Sequence, residues 1–206
     1  MIRPFPARLV AATRNEGKVG ELRALLAPLG ADIIAAPDVP SPEENGGDFA
    51  ANALIKAEYY GKISEGAALA DDSGLCVNAL GGAPGVYSAR WAKESGGFAE
   101  TCERLRKELE NIGATDYSAY FVCALCLRFP DGMFRQYRGV VKGALSFPAR
   151  GRKGFGYDPI FVPEGYDRTF GELPEEVKQR DSHRAKAVAE LLYDFRATEN
   201  EDVAYA

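Results

Sequence analysis

The chain has 206 residues, of which 46% are hydrophobic and 27% are charged, and its formal net charge is −5. This composition is that of an ordinary soluble globular protein, and the length suits one large domain or two small lobes with a buried core. The acidic balance argues against a general nucleic-acid or membrane-surface binder, which usually carries a basic patch. The sequence shows neither the apolar core of a signal peptide nor an apolar run of membrane-spanning length, so we expect a cytoplasmic protein.

A candidate phosphate site follows the first predicted strand, 8–13 (RLVAAT). The polar segment 14–18 (RNEGK) leads directly into a helix whose apolar residues recur at helical spacing. Backbone N–H groups and the helix dipole favour an anion at such an N-terminus, and Lys18 in the first turn would add a positive charge. The segment is neither a Walker A loop nor a dinucleotide fingerprint, so a plain surface lysine stays the alternative.

A polar loop, 37–47, separates a second short strand at 31–36 from the next helix. The loop is rich in Pro, Gly and acids, including Glu43 and Glu44, and a loop of this kind inside a compact domain is often functional. We expect the helix after it to end near residue 65. Asn52 and Lys56 are four residues apart on that helix and so share one face, which we interpret as solvated.

Two adjacent acids mark the segment 69–75 (LADDSGL). The pattern predicts a strand end, a tight turn and a second strand, with Asp71 and Asp72 at the lip. An unpaired carboxylate beside a buried strand is costly, and metal binding or proton transfer would supply a reason for it. A solvated turn is the alternative, because Asp, Ser and Gly are ordinary turn residues.

A long hairpin is predicted at 117–129 and 133–147, joined by a Pro-Asp-Gly turn. It follows an amphipathic helix at 98–112 and adds an antiparallel component to the N-terminal β–α unit. The fold class is therefore α/β with a mixed sheet. Cys123 and Cys126 have C-x-x-C spacing, but strand positions three apart point to opposite faces, so we expect reduced, buried cysteines rather than a zinc or redox site.

The C-terminal third carries an aromatic glycine-rich segment and a late cationic cluster. In the segment 151–159 (GRKGFGYDP), Phe155 offers either a stacking surface or a core aromatic. A short strand at 160–163 and a helical turn at 174–180 follow. Ser182 is a good N-cap for the last helix, which places His183 and Arg184 in its first turn, where cations oppose the dipole unless an anion lies nearby. We expect the tail, 198–206, to fray.

These parts suit a nucleotide phosphate ester. The strand–turn–helix would hold phosphates, the acids would hold a divalent cation, the aromatic would stack on the base, and the late cations would contact base or phosphate. Hard oxygen ligands of this sort suit Mg²⁺, which typically binds one or two carboxylates plus substrate phosphates.

The sequence resembles a known family, the inosine triphosphate pyrophosphatases that act on non-canonical purine nucleoside triphosphates. The matching motifs occur in family order over nearly the whole chain: TRNEGK (13–18), ENGGDFAANALIKA (44–57), LADDSGL (69–75), LGGAPGVYSARW (80–91), GFGYDPIF (154–161) and SHRAKA (182–187).

The resemblance implies an activity and an architecture. Family members hydrolyse ITP, dITP and XTP between the α and β phosphates, giving the monophosphate and pyrophosphate and cleansing the nucleotide pool. They require Mg²⁺ and commonly form homodimers, without nucleic-acid or membrane partners. Their fold is an elongated mixed β-sheet with flanking helices, and here one domain spanning 1–206 would form two lobes around a central nucleotide cleft.

The resemblance also implies roles for individual residues. Asp72 would be the proton acceptor and a Mg²⁺ ligand, with Glu43 as its companion ligand and Glu44 as the alternative. The phosphates would be held by six consecutive residues, with Asn15 and Lys18 the principal side chains: Thr13, Arg14, Asn15, Glu16, Gly17 and Lys18. Arg14 stands where many relatives carry glycine.

Further residues would bind the nucleoside. Ser73 would contact the substrate beside the metal, and Phe155 would stack on the base. The remaining residues complete the base wall or read the base edge: Gly156, Tyr157 and Asp158 in the first role, and Lys178, His183 and Arg184 in the second. Donors at the edge favour the 6-oxo group of hypoxanthine and xanthine over the 6-amino group of adenine.

Two other classes of protein remain open at this point. A non-catalytic nucleotide sensor would keep the base pocket without needing paired acids. A phosphohydrolase that releases inorganic phosphate from small esters would not need Phe155 and the late cationic cluster.

Overall fold

The computed structural model describes the backbone of residues 3–204 and the side chains of residues 3–196. Its sheet has six strands in the order β2-β1-β3-β4-β5-β6. The strands are β1 (Arg8–Ala11), β2 (Asp32–Ala35), β3 (Ala68–Val77), β4 (Ser118–Arg128), β5 (Phe134–Leu145) and β6 (Phe161–Pro163). The helices are α1 (Glu16–Leu26), α2 (Phe49–Ile63), α3 (Ser88–Ser95), α4 (Phe98–Asn111), α5 (Glu175–Asp181) and α6 (His183–Ala204).

The sheet is mixed. Strand β1 pairs in parallel with both β2 and β3, whereas β5 pairs antiparallel with β6. Parallel neighbours need a crossover, and α1 and α2 supply the two crossovers at this end of the sheet. The predicted α/β class with a mixed sheet and flanking helices is confirmed.

The chain divides into two compact units. The first takes the chain as far as Asp72, residues 123–139, and the chain from Arg184 onward, and the second takes residues 73–122 and 140–183. Strands β3, β4 and β5 contribute residues to both units. In the first unit one core cluster gathers α1, α6 and parts of the sheet, and another gathers α2 and the opposite side of β1 and β4. In the second unit the core gathers α4, β6 and the aromatic residues near them.

Polar side chains cap the N-termini of α1 and α2, the two helices that carry residues of the site. Asn15 caps α1, its Oδ1 accepting from the backbone N–H of Lys18 at 3.1 Å. Asp48 caps α2, its Oδ1 accepting from the N–H of Ala51 at 2.8 Å. Each carboxamide or carboxylate satisfies an N–H group that the first turn of a helix leaves without a backbone partner.

The predicted turn at 69–75 is wrong. Strand β3 runs without a break from Ala68 to Val77, so Asp71 and Asp72 lie within a strand rather than at its end. The strand continues because β4 neighbours it in the sheet, while the described pairing with β1 is limited to Ala68 and Leu69. Ladder hydrogen bonds of this kind hold a backbone extended whatever the local turn preference of Asp, Ser and Gly.

Other sequence predictions had mixed outcomes. The hairpin is confirmed at β4 and β5, but both faces of β4 are buried, since Val122, Ala124 and Cys126 are also in the core. All four cysteines are free and buried as expected. The tail predicted to fray is helical as far as Ala204, and residues 205–206 lie outside the described residues. Within residues 3–204 no helix is both long and apolar enough to cross a membrane.

Candidate active site

The turn between β1 and α1 is built by its own side chains. The hydroxyl of Thr13 accepts from the N–H of Asn15 at 3.2 Å, and Asn15 caps the helix. Lys18 lies in the first turn of α1, as predicted, and its ammonium lies 2.8 Å from Asp71 Oδ1. Glu16 is exposed and Gly17 half-buried in the same turn. The turn therefore presents a helix N-terminus with one oriented cation, an arrangement that suits an anion.

Asp71 is a fully buried carboxylate that joins three elements. Its Oδ1 faces Lys18, and its Oδ2 accepts from Arg184 Nε at 2.6 Å and from the thiol of Cys123 at 3.3 Å. Burial alone would raise the pKa of Asp71, but Arg184 and Lys18 outweigh it and hold that pKa well below its usual range. Asp71 is thus a permanent anion that places two cations.

Asp72, its neighbour in β3, has the opposite electrostatic balance. Burial raises the pKa of Asp72 above the ordinary aspartate value, and the nearby ammonium groups of Lys56 and Lys18 offset this only in part. Its Oδ1 accepts from Lys56 Nζ at 2.6 Å and its Oδ2 from Asn52 Nδ2 at 3.4 Å. Two adjacent acids whose pKa values are pushed apart are a recurring arrangement in acid–base chemistry.

The interpretation of Asn52 and Lys56 as a solvated helix face is wrong. Both are buried, with relative exposures of 1% and 7%. Lys56 Nζ donates to Asp72 and also to the backbone carbonyl of Asp71 at 3.0 Å. Burial lowers the pKa of Lys56, but Asp72 and Glu44 outweigh it, so the pKa is raised and the group stays charged. The four-residue spacing of Asn52 and Lys56 correctly predicts a shared helix face. That face contacts carboxylates rather than water.

The two glutamates of the polar loop differ in their surroundings. Glu44 Oε1 lies 3.1 Å from Lys56 Nζ, so this acid shares an ammonium with Asp72. Glu43 is exposed, and among the described residues no hydrogen bond or ion pair engages its carboxylate. The sequence resemblance implies Glu43, with Glu44 as the alternative, as the second Mg²⁺ ligand beside Asp72. In the structure it is Glu44 that pairs with Lys56, the partner of Asp72.

Arg184 lies in the first turn of α6, as predicted, and is fully buried. Its guanidinium pairs with Asp71 and, through NH1, with Glu21 of α1. These carboxylates are the anions that its adverse position at a helix N-terminus requires. The structure therefore places Arg184 among the acids of the first unit, where it orients Asp71. The prediction that it reads the base edge has no support from these contacts.

Asp158 organises the aromatic glycine segment in the second unit. Its Oδ2 accepts from the N–H of Phe155 at 2.7 Å and from the ammonium of Lys178. That ammonium also lies 4.2 Å from the centroid of the Phe155 ring, a cation–π distance. Gly154 has φ +70°, and a Cβ there would lie 2.1 Å from Asp158 Oδ2. The glycine is required, because both its backbone conformation and the carboxylate exclude a side chain.

The other residues predicted to contact the nucleotide lie in different environments. Tyr157 is buried in the core of the second unit, and its hydroxyl donates to the carbonyl of Ser88 at 3.0 Å, so its side chain packs rather than lines a surface. His183 is buried and stacks on Phe121 at 4.9 Å between ring centroids. Gly156 and Ser73 are half-buried.

The donor set fits a magnesium ion only together with a ligand. Within the described residues no group of three or more His, Cys, Asp or Glu could hold a metal ion. Asp72 and Glu44, which share the ammonium of Lys56, are hard oxygen donors, and Mg²⁺ typically takes one or two carboxylates and completes its shell with phosphate oxygens and water. The residues therefore fit that mode of binding, and they do not form an all-protein cage.

Together the sheet and the cluster of paired carboxylates and cations define an α/β protein with a buried, highly charged site. The family model of the Ham1 family matches residues 9–194, and the chain belongs to that family. It is 47% identical over 190 residues to a dITP/XTP pyrophosphatase of Zymomonas mobilis, covering 91% of each chain. It is 48% identical to the Caulobacter vibrioides dITP/XTP pyrophosphatase, covering 90% of this chain and 96% of the relative.

A solved structure shares the fold. The Ham1 protein of Staphylococcus aureus superposes with a TM-score of 0.80 at 37% sequence identity, covering 93% of this chain and 99% of that one. The suspected resemblance to this class of pyrophosphatases is confirmed by these relatives.

Proposed function

We propose that this protein is a nucleoside triphosphate pyrophosphatase that converts ITP, dITP and XTP to the monophosphate and pyrophosphate, with Mg²⁺ as cofactor. The observation that carries the proposal is the pair Asp71 and Asp72. One is a permanent anion that places Lys18, and the other has a raised pKa and contacts Lys56. The relatives named as dITP/XTP pyrophosphatases support the same activity.

In this reaction Asp72 accepts a proton from the attacking water. A base with a raised pKa takes a proton more readily than an ordinary aspartate. Lys18 and the N–H groups at the start of α1 bind the triphosphate, with Lys56 adding a second positive charge beside Asp72. Phosphoryl transfer depends mainly on such positioning and charge neutralisation.

Asp72 and Glu43 are the proposed carboxylate ligands of Mg²⁺, and Glu44 holds Lys56. The exposed carboxylate of Glu43 is not engaged by a cation among the described contacts, whereas Glu44 already pairs with an ammonium. When bound, Mg²⁺ supplies two further positive charges to the phosphate oxygens.

The residues of the second unit would bind the base. Phe155 offers a ring, and Lys178, held by Asp158, offers N–H donors to an oxo group. Asp158 and Arg184 act here as positioning residues, since their described contacts are with other side chains and the backbone. His183 stays a proposed contact with the base edge, and Ser73 with the substrate beside the metal.

The remaining expectations complete the proposal. The chain would act as one domain with two lobes around a nucleotide cleft, as a cytoplasmic homodimer without nucleic-acid or membrane partners. They rest on the resemblance and on the acidic composition.

One assay tests the function. The protein is incubated with ITP, dITP, XTP, GTP and ATP, with and without Mg²⁺, and both pyrophosphate and inorganic phosphate are measured. Pyrophosphate from the first three, dependent on Mg²⁺, is the expected result. Release of phosphate alone would indicate a different phosphohydrolase, and nucleotide binding without turnover would indicate a sensor.

A further inference from the structure

The polar loop 37–47 is fastened along one face of α2. The residues of α2 that contact it recur at intervals of about one helical turn, and the loop runs antiparallel to the helix. The contacts are Tyr59 Oη to the carbonyl of Pro40 at 2.8 Å, Tyr60 Oη to Ser41 Oγ at 3.4 Å, Lys56 Nζ to Glu44 at 3.1 Å, and the N–H of Gly46 to Asn52 Oδ1 at 2.9 Å. The loop thus has a defined path on α2.

Arg14 fastens the start of the same loop from a different element. Its guanidinium NH2 lies 3.2 Å from Asp38 Oδ1 and also donates to the carbonyl of Val39. Arg14 directly precedes Asn15, the cap of α1. The loop that carries Glu43 and Glu44 is therefore tied to the phosphate-binding turn at one end and to α2 along its length.

The chemistry of arginine suits these two contacts with the loop. A planar guanidinium has several N–H donors in fixed directions and can serve a carboxylate and a carbonyl together, whereas a lysine ammonium acts as a single point charge. Asp38 is an exposed side chain, so the charge pair alone contributes little. The bond to the backbone of Val39 adds a direct restraint on the loop.

We propose that Arg14 is a positioning residue that holds the loop 37–47 for metal binding, and that it does not contact the phosphates. This rests on the proposed function, because it assumes that a glutamate of the loop is a Mg²⁺ ligand. A looser loop spends less time in the binding conformation, and an ion bound by that conformation is held more weakly in proportion. The role differs from the phosphate contact that the sequence predicts for Arg14.

The experiment compares Arg14→Ala, Arg14→Lys and Asp38→Ala with a matched control, Arg8→Ala. Arg8 also forms an exposed ion pair, 3.4 Å from Asp32, but away from the loop. Hydrogen–deuterium exchange is measured on the protein alone. We expect the amides of Ser41 and of residues 43–46 to exchange about threefold to tenfold faster in R14A, the range that a partly exposed charged hydrogen bond supports. R14K and D38A should fall between R14A and the wild type, and R8A should match the wild type.

A second measurement tests whether the contacts of Arg14 with the loop affect metal binding. At saturating ITP, the Mg²⁺ concentration for half-maximal pyrophosphate release should rise about threefold to tenfold in R14A. The rate at saturating Mg²⁺ should stay within about twofold, because the variant changes the loop population and leaves the reacting groups in place.

Two results would overturn the proposal. One is unchanged exchange of these loop amides in R14A. The other is a raised KM for ITP with an unchanged Mg²⁺ requirement, which would make Arg14 a phosphate contact. If the wild type released no pyrophosphate, the proposed function would fail, while the exchange measurement would still decide whether Arg14 holds the loop.

Discussion

Lys18 Nζ and Asp71 Oδ1 lie 2.8 Å apart, joining the first turn of α1 to a fully buried position of β3. The first turn of a helix disfavours a cation, and the carboxylate of Asp71 offsets that cost. The ion pair also restricts the long lysine side chain to one direction. The proposed phosphate site therefore has a cation that is already oriented.

Replacing Asp72 with asparagine should abolish turnover without unfolding the protein. The variant removes the proposed proton acceptor while it keeps the shape of the side chain, and loss of a general base typically costs about 10²- to 10⁴-fold in rate. Pyrophosphate release from ITP measures the effect, with circular dichroism as the folding check. Asp167→Asn, at an almost fully exposed aspartate, is the matched control. Near-normal activity in D72N would remove Asp72 from the base role.

Glu43→Gln and Glu44→Gln should separate two functions of the loop. We expect E43Q to raise the Mg²⁺ concentration for half-maximal activity by more than about tenfold, since each carboxylate is a large share of a one- or two-carboxylate site. E44Q removes one of the two carboxylates that pair with Lys56, so it should lower the rate with a smaller change in Mg²⁺ dependence. The titrations are run at saturating ITP. The reverse pattern would make Glu44 the ligand.

The pH profile should report the raised pKa of Asp72. The base works only when it is ionised, so kcat/KM should fall as the pH is lowered, with a midpoint above the ordinary aspartate value of about 3.9. Lys56 lowers the pKa of Asp72, and the variant Lys56→Met should therefore move this midpoint to higher pH. Rates measured from pH 4 to 8 decide the point, and a midpoint that stayed or moved down in K56M would contradict the assignment.

Asp71→Asn should destabilise the fold more than D72N does. The folded-state pKa of Asp71 is depressed, so its contribution to stability is present above the unfolded pKa of about 3.9 and is lost as the pH falls through the folded value. D71N also leaves the buried Arg184 short of a carboxylate, a loss of about 3–5 kcal/mol. The pKa of Asp72 is raised, so its ionisation does not add stability at neutral pH.

Urea unfolding of both variants at pH 7 measures the difference. The wild type should lose stability below about pH 4, and D71N should show a weaker dependence in that range. A loss of less than about 1 kcal/mol in D71N, well under the cost of breaking a buried pair, would show that Arg184 does not depend on Asp71.

Gly154→Ala should weaken nucleotide binding through Asp158. The added methyl would meet the carboxylate that holds Phe155 and Lys178, so we expect KM for ITP to rise about tenfold with kcat changed less, as for a binding group remote from the reacting atoms. Gly165→Ala is the control, since Gly165 has φ +86° and an added Cβ there would have nothing within 4 Å. Equal effects on KM in the two variants would show that backbone strain alone is responsible.

The local sequence pattern was sufficient to predict most of the secondary structure. The helices at 16–26 and 98–111 and the hairpin of β4 and β5 follow from apolar spacing and turn residues, which act between near neighbours. The break predicted in β3 failed because the strand is held by partners far away in sequence. Val10, for instance, pairs with Ala68, and no residue near 70 signals that contact.

The site was harder to predict than the fold. The motifs identified Asp72, Lys18 and Lys178 as candidates, but their partners depend on tertiary contacts. Arg184 is 113 residues from Asp71, and Lys56 is a residue type that is almost never fully buried unless paired. Burial of such a side chain becomes reasonable only once the carboxylates beside it are known.

The burial of the four cysteines makes the protein convenient for site-specific labelling. Burial raises the pKa of Cys102 and Cys126 to about 12 and that of Cys123 well above its usual value, and thiolate is the reactive form. A single cysteine introduced at the exposed Asn45 of the polar loop would therefore react with a maleimide dye much faster than the buried native thiols. A fluorophore there would report on the polar loop in the otherwise wild-type protein.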